Sequence, residues 1–415
     1  MENARASQRS LVPLYAASAV LTLGEGSVAL LIPPYLHGRG FDAAAIGAIV
    51  AAYGIASLAT RVPAALLYRS HRGPWLVAGG CVLSAVAFAC IPLTAMPAAV
   101  AGLVALDGVG FSIATTGAMT ALIERRPPGA SAGSIMGWYT GSLGIGYSAA
   151  GFVGGNLGDR LGVDAAILGL ALVPLVAGAL LKLSLDAAPA SGAEPPAGRP
   201  AGSGVRQFAR LPALVWLAFL VSLYLNLVNG VLFTFFPIYG LAIGLSLAQI
   251  GALTGIHGAV AAAVRLGSGL VFRRISYVRA LPLMVVLSGL AVAGLSTVRL
   301  FAALAVAWAV IGLARGLLRV ASGALVMDVA GDSDAERGAA SGVYLAGLDL
   351  GKILGPPLGG AGAALAGIQT TFLLIAVVFP AAYLIAMAVL PSRSPSTRPA
   401  GSASRSDRST RPAAG

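Results

Sequence analysis

Apolar residues along this chain fall into successive long runs, interrupted at charged clusters and at Pro/Gly turns. A helix needs about 20 apolar residues to cross a bilayer. Cutting the runs at their breaks predicts twelve spanning helices, near 12–36, 45–68, 74–93, 98–122, 133–157, 165–185, 212–236, 248–272, 280–297, 301–326, 338–363 and 369–390. The expected fold class is therefore an all-α polytopic membrane protein. Between the sixth and seventh runs lies "DAAPASGAEPPAGRPAGSG", whose Pro, Ala, Gly and Ser cannot build a core and which reads as a flexible linker. The expected organisation is an N-tail at 1–11, a six-helix bundle at 12–185, a linker at 186–211, a second bundle at 212–390 and a disordered tail at 391–415.

Composition agrees: 57% of the 415 residues are hydrophobic and only 10% charged, with a mean hydropathy of +0.87. A soluble chain carries about 25% charged residues. The first run is too long for a signal-peptide core and reads as a retained helix. The two cysteines, Cys81 and Cys90, share one helix and suggest core fillers, with neither a disulfide nor a metal site expected.

Charge then sets orientation. Of 27 Lys and Arg, three (Arg39, Arg160, Arg299) fall in loops on one side, five lie deep within helices, and the other nineteen lie in loops and tails or, for Lys182, at a helix end on the opposite side. The positive-inside rule places that richer side, with both termini, in the cytoplasm of a cell whose inner membrane holds the protein. The net charge of +12 is thus a matter of topology and calls for no nucleic-acid partner. Membrane lipid is the expected surrounding.

The two halves also repeat. At an offset of 204 residues Pro33 meets Pro237, Tyr35 meets Tyr239, Ile46-Gly47-Ala48 meets Ile250-Gly251-Ala252, Arg61 meets Arg265, Arg69 meets Arg273 and Glu124 meets Asp328. At an offset of 205, Gly137 and Tyr139 meet Gly342 and Tyr344. Internal repeats of this kind build many transporters, with the binding site at the repeat interface near the midplane.

Two motifs carry a family resemblance. "AALLYRSHR" (64–72) keeps Leu66, Arg69 and Arg72 of the pattern G-x-L-x-D-R-x-G-R, but has Ala64, Tyr68 and His71 at its glycines and acid. The pattern G-x8-G-x3-G-P-x2-G-G is complete at Gly342, Gly351, Gly355, Pro356, Gly359 and Gly360; the fifth helix matches it partly, at Gly137, Gly146, Gly154 and Gly155. The chain resembles the major facilitator superfamily, in particular its twelve-helix drug:proton antiporters. That resemblance implies two six-helix bundles, lipid-facing helices 3, 6, 9 and 12, a bent helix at Pro356, and export. It also suggests cytoplasmic latches between Arg69 and Glu124 and between Arg273 and Asp328.

Charges inside the expected spans mark candidate sites, because a charged side chain in hydrocarbon is costly. They are Glu25, Arg61 and Asp107 in the first half and Arg265, Arg315, Arg319, Asp349 and Lys352 in the second. Counted from the outer helix ends, Glu25 and Lys352 lie roughly 16 Å deep and Asp107 roughly 14 Å, all near the midplane. Arg315 and Asp349 both come out at roughly 21 Å, which suggests an ion pair between consecutive helices. Glu25, flanked by Gly24 and Gly26 with no base in its own helix, is the leading proton carrier, with Asp107 and Asp349 as further candidates. An acid in helix 1 is also what the antiporter resemblance implies.

Lys352, Arg315 and Arg319 are the expected substrate contacts, with Asn226, Asn229, Tyr139, Tyr344 and His257 as polar pocket candidates and Tyr53 as another. Arg61 and Arg265, nearer the helix ends, can snorkel and read as structural. No ATPase motif and no nucleophile–base pair stands out, so the expectation is a non-enzymatic, ion-driven carrier without cofactors that acts as a monomer. Export of small organic molecules, carboxylate-bearing or zwitterionic, is the first expectation. Proton-coupled uptake of an anionic metabolite is the second, and a non-transporting sensor or scaffold the third.

Overall fold

The computed structural model describes residues 11–125, 132–187, 211–329 and 334–389. The expected N-tail, C-terminal tail and most of the linker lie outside these residues. Among the described residues there are helices and short turns but no strand. The first half holds α1 (Val12–Gly38), α2 (Ala43–Leu67), α3 (Gly73–Cys90), α4 (Pro97–Glu124), α5 (Ala132–Leu161) and α6. α6 runs in two segments, Val163–Leu170 and Leu172–Ala187. Pro174 accounts for the break, since it has no N–H to offer the Leu170 carbonyl four residues back. The second half holds α7 (Ala213–Ala242), α8 (Leu247–Phe272), α9 (Tyr277–Thr297), α10 (Phe301–Val329), α11 (Asp334–Ala366) and α12 (Ile368–Val389).

The turns repeat as faithfully as the sequence. α1 and α7 each end in a left-handed glycine, Gly40 at φ 82° and Gly244 at φ 88°. The next residue's N–H returns to the helix, Phe41 to the Leu36 carbonyl and Leu245 to the Gly240 carbonyl, closing a Schellman turn that a Cβ would strain. The following helix is then capped by a side chain. Asp42 Oδ1 accepts from the Ala45 N–H at 2.7 Å. Ser246 and Gln249 form a reciprocal capping box at 3.2 and 2.9 Å.

Ten of these helices are long and apolar enough to cross a membrane. α5 and α11 are not in that set, because glycine and charge dilute their apolar content. They are nevertheless central to the assembly. Within each half α5 packs on α1, and α11 on α7; between halves α5 packs on α8, and α11 on α2. The large exposed side chains of α3, α6, α9 and α12 include Val82, Val86, Leu172, Val176, Leu283, Leu290, Val377 and Ile385. An apolar outer face of this extent suits lipid and not water.

Hydrogen bonds also follow the repeat. Thr22 donates to the Leu143 carbonyl at 3.2 Å, and its counterpart Asn226 to the Leu348 carbonyl at 2.8 Å. Tyr35 donates to the Ile91 carbonyl at 2.9 Å, and Tyr239 to the Ser296 carbonyl at 3.2 Å. The side-chain donor spent in this way finds inside the bundle a partner that hydrocarbon would not offer it.

Candidate functional site

Glycines decide where the halves can touch. A side-chain carbon on Gly151 of α5 would strike the backbone of Gly251 in α8 and would lie 2.6 Å from the Thr254 hydroxyl. Gly155 abuts the Leu247 carbonyl, and its repeat counterpart Gly360 abuts the Ala43 carbonyl. Gly47 of α2 abuts Pro356 of α11, which also presses on Gly230 of α7. All these contacts lie toward the end of the bundle that carries the turns 39–42 and 243–246. There Asp159 of α5 adds a polar fastening, accepting the Leu247 and Ala248 N–H groups of α8 at 2.8 and 2.9 Å. These are free donors of a helix start, where a carboxylate is also favoured by the helix dipole. Toward the opposite end glycines of α5 and α11 are not packed. Gly137, Gly141 and Gly144 of α5 and Gly342 of α11 have no atom within 4 Å of where a side chain would stand. Open space at these glycines of the two interface helices implies a cavity between the halves that widens toward the end where α6 finishes and α7 begins.

Near its closed end this cavity holds a small charge cluster. Glu25 of α1 and Asp107 of α4 are each 7% exposed and are electrostatic neighbours, both within reach of Lys352 from α11. The acids belong to one half and the ammonium to the other. Lys352 Nζ stands 4.5 Å from the ring centroid of Tyr53, a cation–π contact on α2. The Tyr53 hydroxyl and Asp107 Oδ1 lie beside the Glu25 carboxyl without a fully formed hydrogen bond. Tyr147, whose ring packs on Gly26, lies within the field of both acids. Tyr147 occupies the repeat position of Lys352, a relation visible from the offset of 205.

Asp349 does not pair with Arg315, as depth along consecutive helices suggested. It pairs with Arg61 of the other half, whose Nη1 lies 3.1 Å from Oδ1 and 3.2 Å from Oδ2. The physical reason is packing: α11 lies against α2 across the interface much more extensively than against α10. Arg61 is accordingly an inter-half contact and not a snorkelling side chain. Arg315 instead donates to the Leu225 carbonyl at 3.2 Å and to Asn226 Oδ1 at 3.3 Å. The Arg319 guanidinium stands 5.9 Å from the Tyr344 ring centroid.

The remaining candidates separate. Tyr139 donates to the Thr115 carbonyl at 3.1 Å and its counterpart Tyr344 to the Arg319 carbonyl at 3.3 Å, so both strap neighbouring helices. His257, 3% exposed, stands edge-on to Phe233 and Trp308 at 5.5 Å, within the field of Arg315 and Arg265. Asn229 is half-buried on α7. The suggested latch between Arg69 and Glu124 is not formed. Tyr68, standing where the family motif has its acid, donates to Glu124 at 3.0 Å, Ser70 donates to it at 2.7 Å, and Arg69 turns to the Leu66 and Tyr68 carbonyls. Arg273 and Asp328 are both exposed and form no ion pair with each other. Asp159 was not a sequence candidate; its signal was an acid at the end of a glycine-rich helix whose repeat counterpart is Ala364.

The repeat is symmetric in backbone and asymmetric in charge. The counterparts of Glu25, Asp107, Arg315, Arg319 and Lys352 are Asn229, Ile311, Phe111, Thr115 and Tyr147.

Two six-helix repeats that close around a charged cavity at one end and part at the other have the architecture of a secondary transporter. The Major Facilitator Superfamily model matches residues 14–302 and 279–414, and the chain belongs to that superfamily. Solved structures agree in fold. A bacterial homolog of the human lysosomal transporter Spinster, in an inward-facing and unoccupied conformation, superposes with a TM-score of 0.74 at 15% identity, over 92% of this chain and 97% of that one. The nucleoside transporter NupG gives 0.72 at 18% identity, over 91% and 99%. A POT family transporter in complex with 5-aminolevulinic acid gives 0.72 at 12% identity, over 92% and 96%. No protein in the curated comparison set matches the chain.

Proposed function

We propose that this protein is a proton-coupled exporter of small organic molecules, working by alternating access between its halves, with Glu25 and Asp107 as the proton-carrying pair. One observation carries the reading: two buried carboxyl groups from one half face a single ammonium, Lys352, from the other. Such a trio is electrically balanced when the acids hold one proton between them. A cationic group entering the cavity balances the trio in the proton's place. Proton and cationic group then exclude one another, and that exclusion makes an exchanger. Driven by an inward proton gradient, exchange means export.

The preferred substrate is zwitterionic, its ammonium meeting Glu25 and Asp107 and its acid meeting the arginines of the second half. The carrier functions as a monomer in the inner membrane. With both termini cytoplasmic, the conformation described is open to the cytoplasm, ready to receive an export substrate. Asp349, held by Arg61, serves the contact between halves and not proton traffic.

A second reading is uptake of an anionic metabolite with a proton. It is favoured by Arg265, Arg315 and Arg319, which have no carboxylate at ion-pair distance among the described residues. The test is transport in liposomes carrying an internal pH dye, challenged with cationic, zwitterionic and anionic compounds. Proton flow opposite to substrate, abolished in Glu25→Gln, is the expected outcome. Proton flow in the same direction as an anion, lost in Lys352→Ala and kept in Glu25→Gln, would establish uptake instead.

A further inference from the structure

We propose that Arg265, Arg315 and Arg319 form a preorganised subsite for a group carrying two adjacent negative charges, of the phosphoryl or dicarboxylate class. The proposal deepens the transporter reading, since it takes the cavity between the halves to be the substrate's route. The three guanidinium groups come from α8 and α10 and stand within each other's fields. Arg265 also reaches the field of Tyr344 on α11. It lies two turns beyond Gly258, which packs on Ser148 of α5, and so shares the face of α8 turned toward the other half.

The neutral attachments explain how the cluster survives without an acid. Asn226 donates to the Leu348 carbonyl at 2.8 Å, which leaves its Oδ1 for Arg315 at 3.3 Å. The Leu225 carbonyl takes a second Arg315 N–H at 3.2 Å. A guanidinium has five N–H donors in a fixed fork, so others remain for a ligand. The neighbouring acids lie elsewhere: Asp349 is paired with Arg61, and Glu25 and Asp107 lie in the field of Lys352. Two half-buried cations, Arg315 and Arg319, stand beside an exposed third, Arg265, with no carboxylate at ion-pair distance among the described residues. They repel one another at a cost, and an arriving anion relieves it. A dianion leaves one excess charge where a monoanion leaves two, and it offers the paired oxygens that arginine forks grip best.

The experiment uses the full chain purified in neutral detergent and follows its thermal unfolding with added anions at matched ionic strength. The probes are inorganic phosphate, methylphosphonate, succinate, acetate and chloride. Phosphate, methylphosphonate or succinate is expected to raise the midpoint at millimolar concentration, with acetate and chloride inert. Each arginine replaced should weaken the half-saturating concentration about tenfold. Arg265→Gln and Arg319→Gln are made singly and together, and the unliganded midpoint of each reports whether it folds. Arg265→Gln, at the exposed edge of the cluster, keeps the test valid if the double variant unfolds.

Equal stabilisation by acetate, no stabilisation by any dianion, or a dianion effect unchanged in both single variants would overturn the proposal. A shift produced only by phosphatidylglycerol in nanodiscs would overturn it in favour of a lipid headgroup site. Among the dianions, the phosphorus compounds against succinate distinguish phosphoryl from dicarboxylate recognition. Glu25→Gln should bind the same dianions as the parent. Loss of proton coupling with dianion binding intact therefore marks failure of the export reading alone.

Discussion

Arg61 on α2 grips both carboxylate oxygens of Asp349 on α11 with one guanidinium nitrogen, at 3.1 and 3.2 Å, and so ties the two halves together across their interface. Lys352 lies one helical turn further along the same face of α11, against Tyr53 of the same α2. The contact between halves and the ammonium of the charge cluster are thus carried on one pair of helices.

Since the Arg61 side chain is 49% exposed, the ion pair contributes about 1 kcal/mol or less. Arg61→Ala and Asp349→Ala should each lower the unfolding midpoint slightly and change the transport rate several-fold. The exchanged pair, Arg61→Asp with Asp349→Arg, should recover most of the rate. If the exchanged pair is no better than the worse single variant, the residues do not act together.

Asp159 caps α8 from the opposite half. Asp159→Ala should remove two hydrogen bonds at a solvated helix end and shift the balance toward opening of that end by about 1 kcal/mol, roughly fivefold. Spin labels at Asn156 and Gln249 would report it as a larger population of long distances. An unchanged distance distribution would show that the cap is incidental.

Gly151 and Gly251 are packed backbone to backbone. Gly151→Val should hold that end of the bundle open, reducing turnover at least about tenfold while ligand binding persists, because small residues are what let these helices approach. Gly79→Ala, where a side chain meets open space, should transport normally. The comparison is made by measuring binding and flux on the same preparations.

Glu25→Gln preserves shape but cannot exchange a proton. Substrate-evoked pH change should vanish, while exchange of labelled for unlabelled substrate across the membrane continues. Asp107→Asn should leave Lys352 facing a single acid and reduce coupling without abolishing it. A proton signal of parental size in Glu25→Gln would move the carrier to Asp107.

The helices were legible in the sequence because each apolar run is bounded by turns whose chemistry repeats, such as Gly40 with Asp42 and Gly244 with Ser246. α5 and α11 were legible as apolar runs between breaks and through their glycine spacing, although their hydropathy falls short of the other ten helices. Depth counting placed Glu25, Asp107 and Lys352 on one level, and they lie within one another's fields. It failed for Asp349, because equal depth says nothing about which helix lies alongside. Arg315 was near in sequence, but Arg61 was near in space. The Arg69–Glu124 latch failed for a chemical reason, since Tyr68 in place of the motif's acid is itself a donor and occupies Glu124.

The unequal placement of charge on an equal backbone has a consequence for the cargo. Turning a ligand end for end exchanges the two repeats, and with a symmetric lining both poses would bind alike. Here the reversed pose would bring its ends to Asn229 and Ile311 in place of Glu25 and Asp107, and to Phe111 and Tyr147 in place of Arg315 and Lys352. On the function proposed, a molecule with two chemically different ends has one way to travel. The cavity reads polarity as well as size.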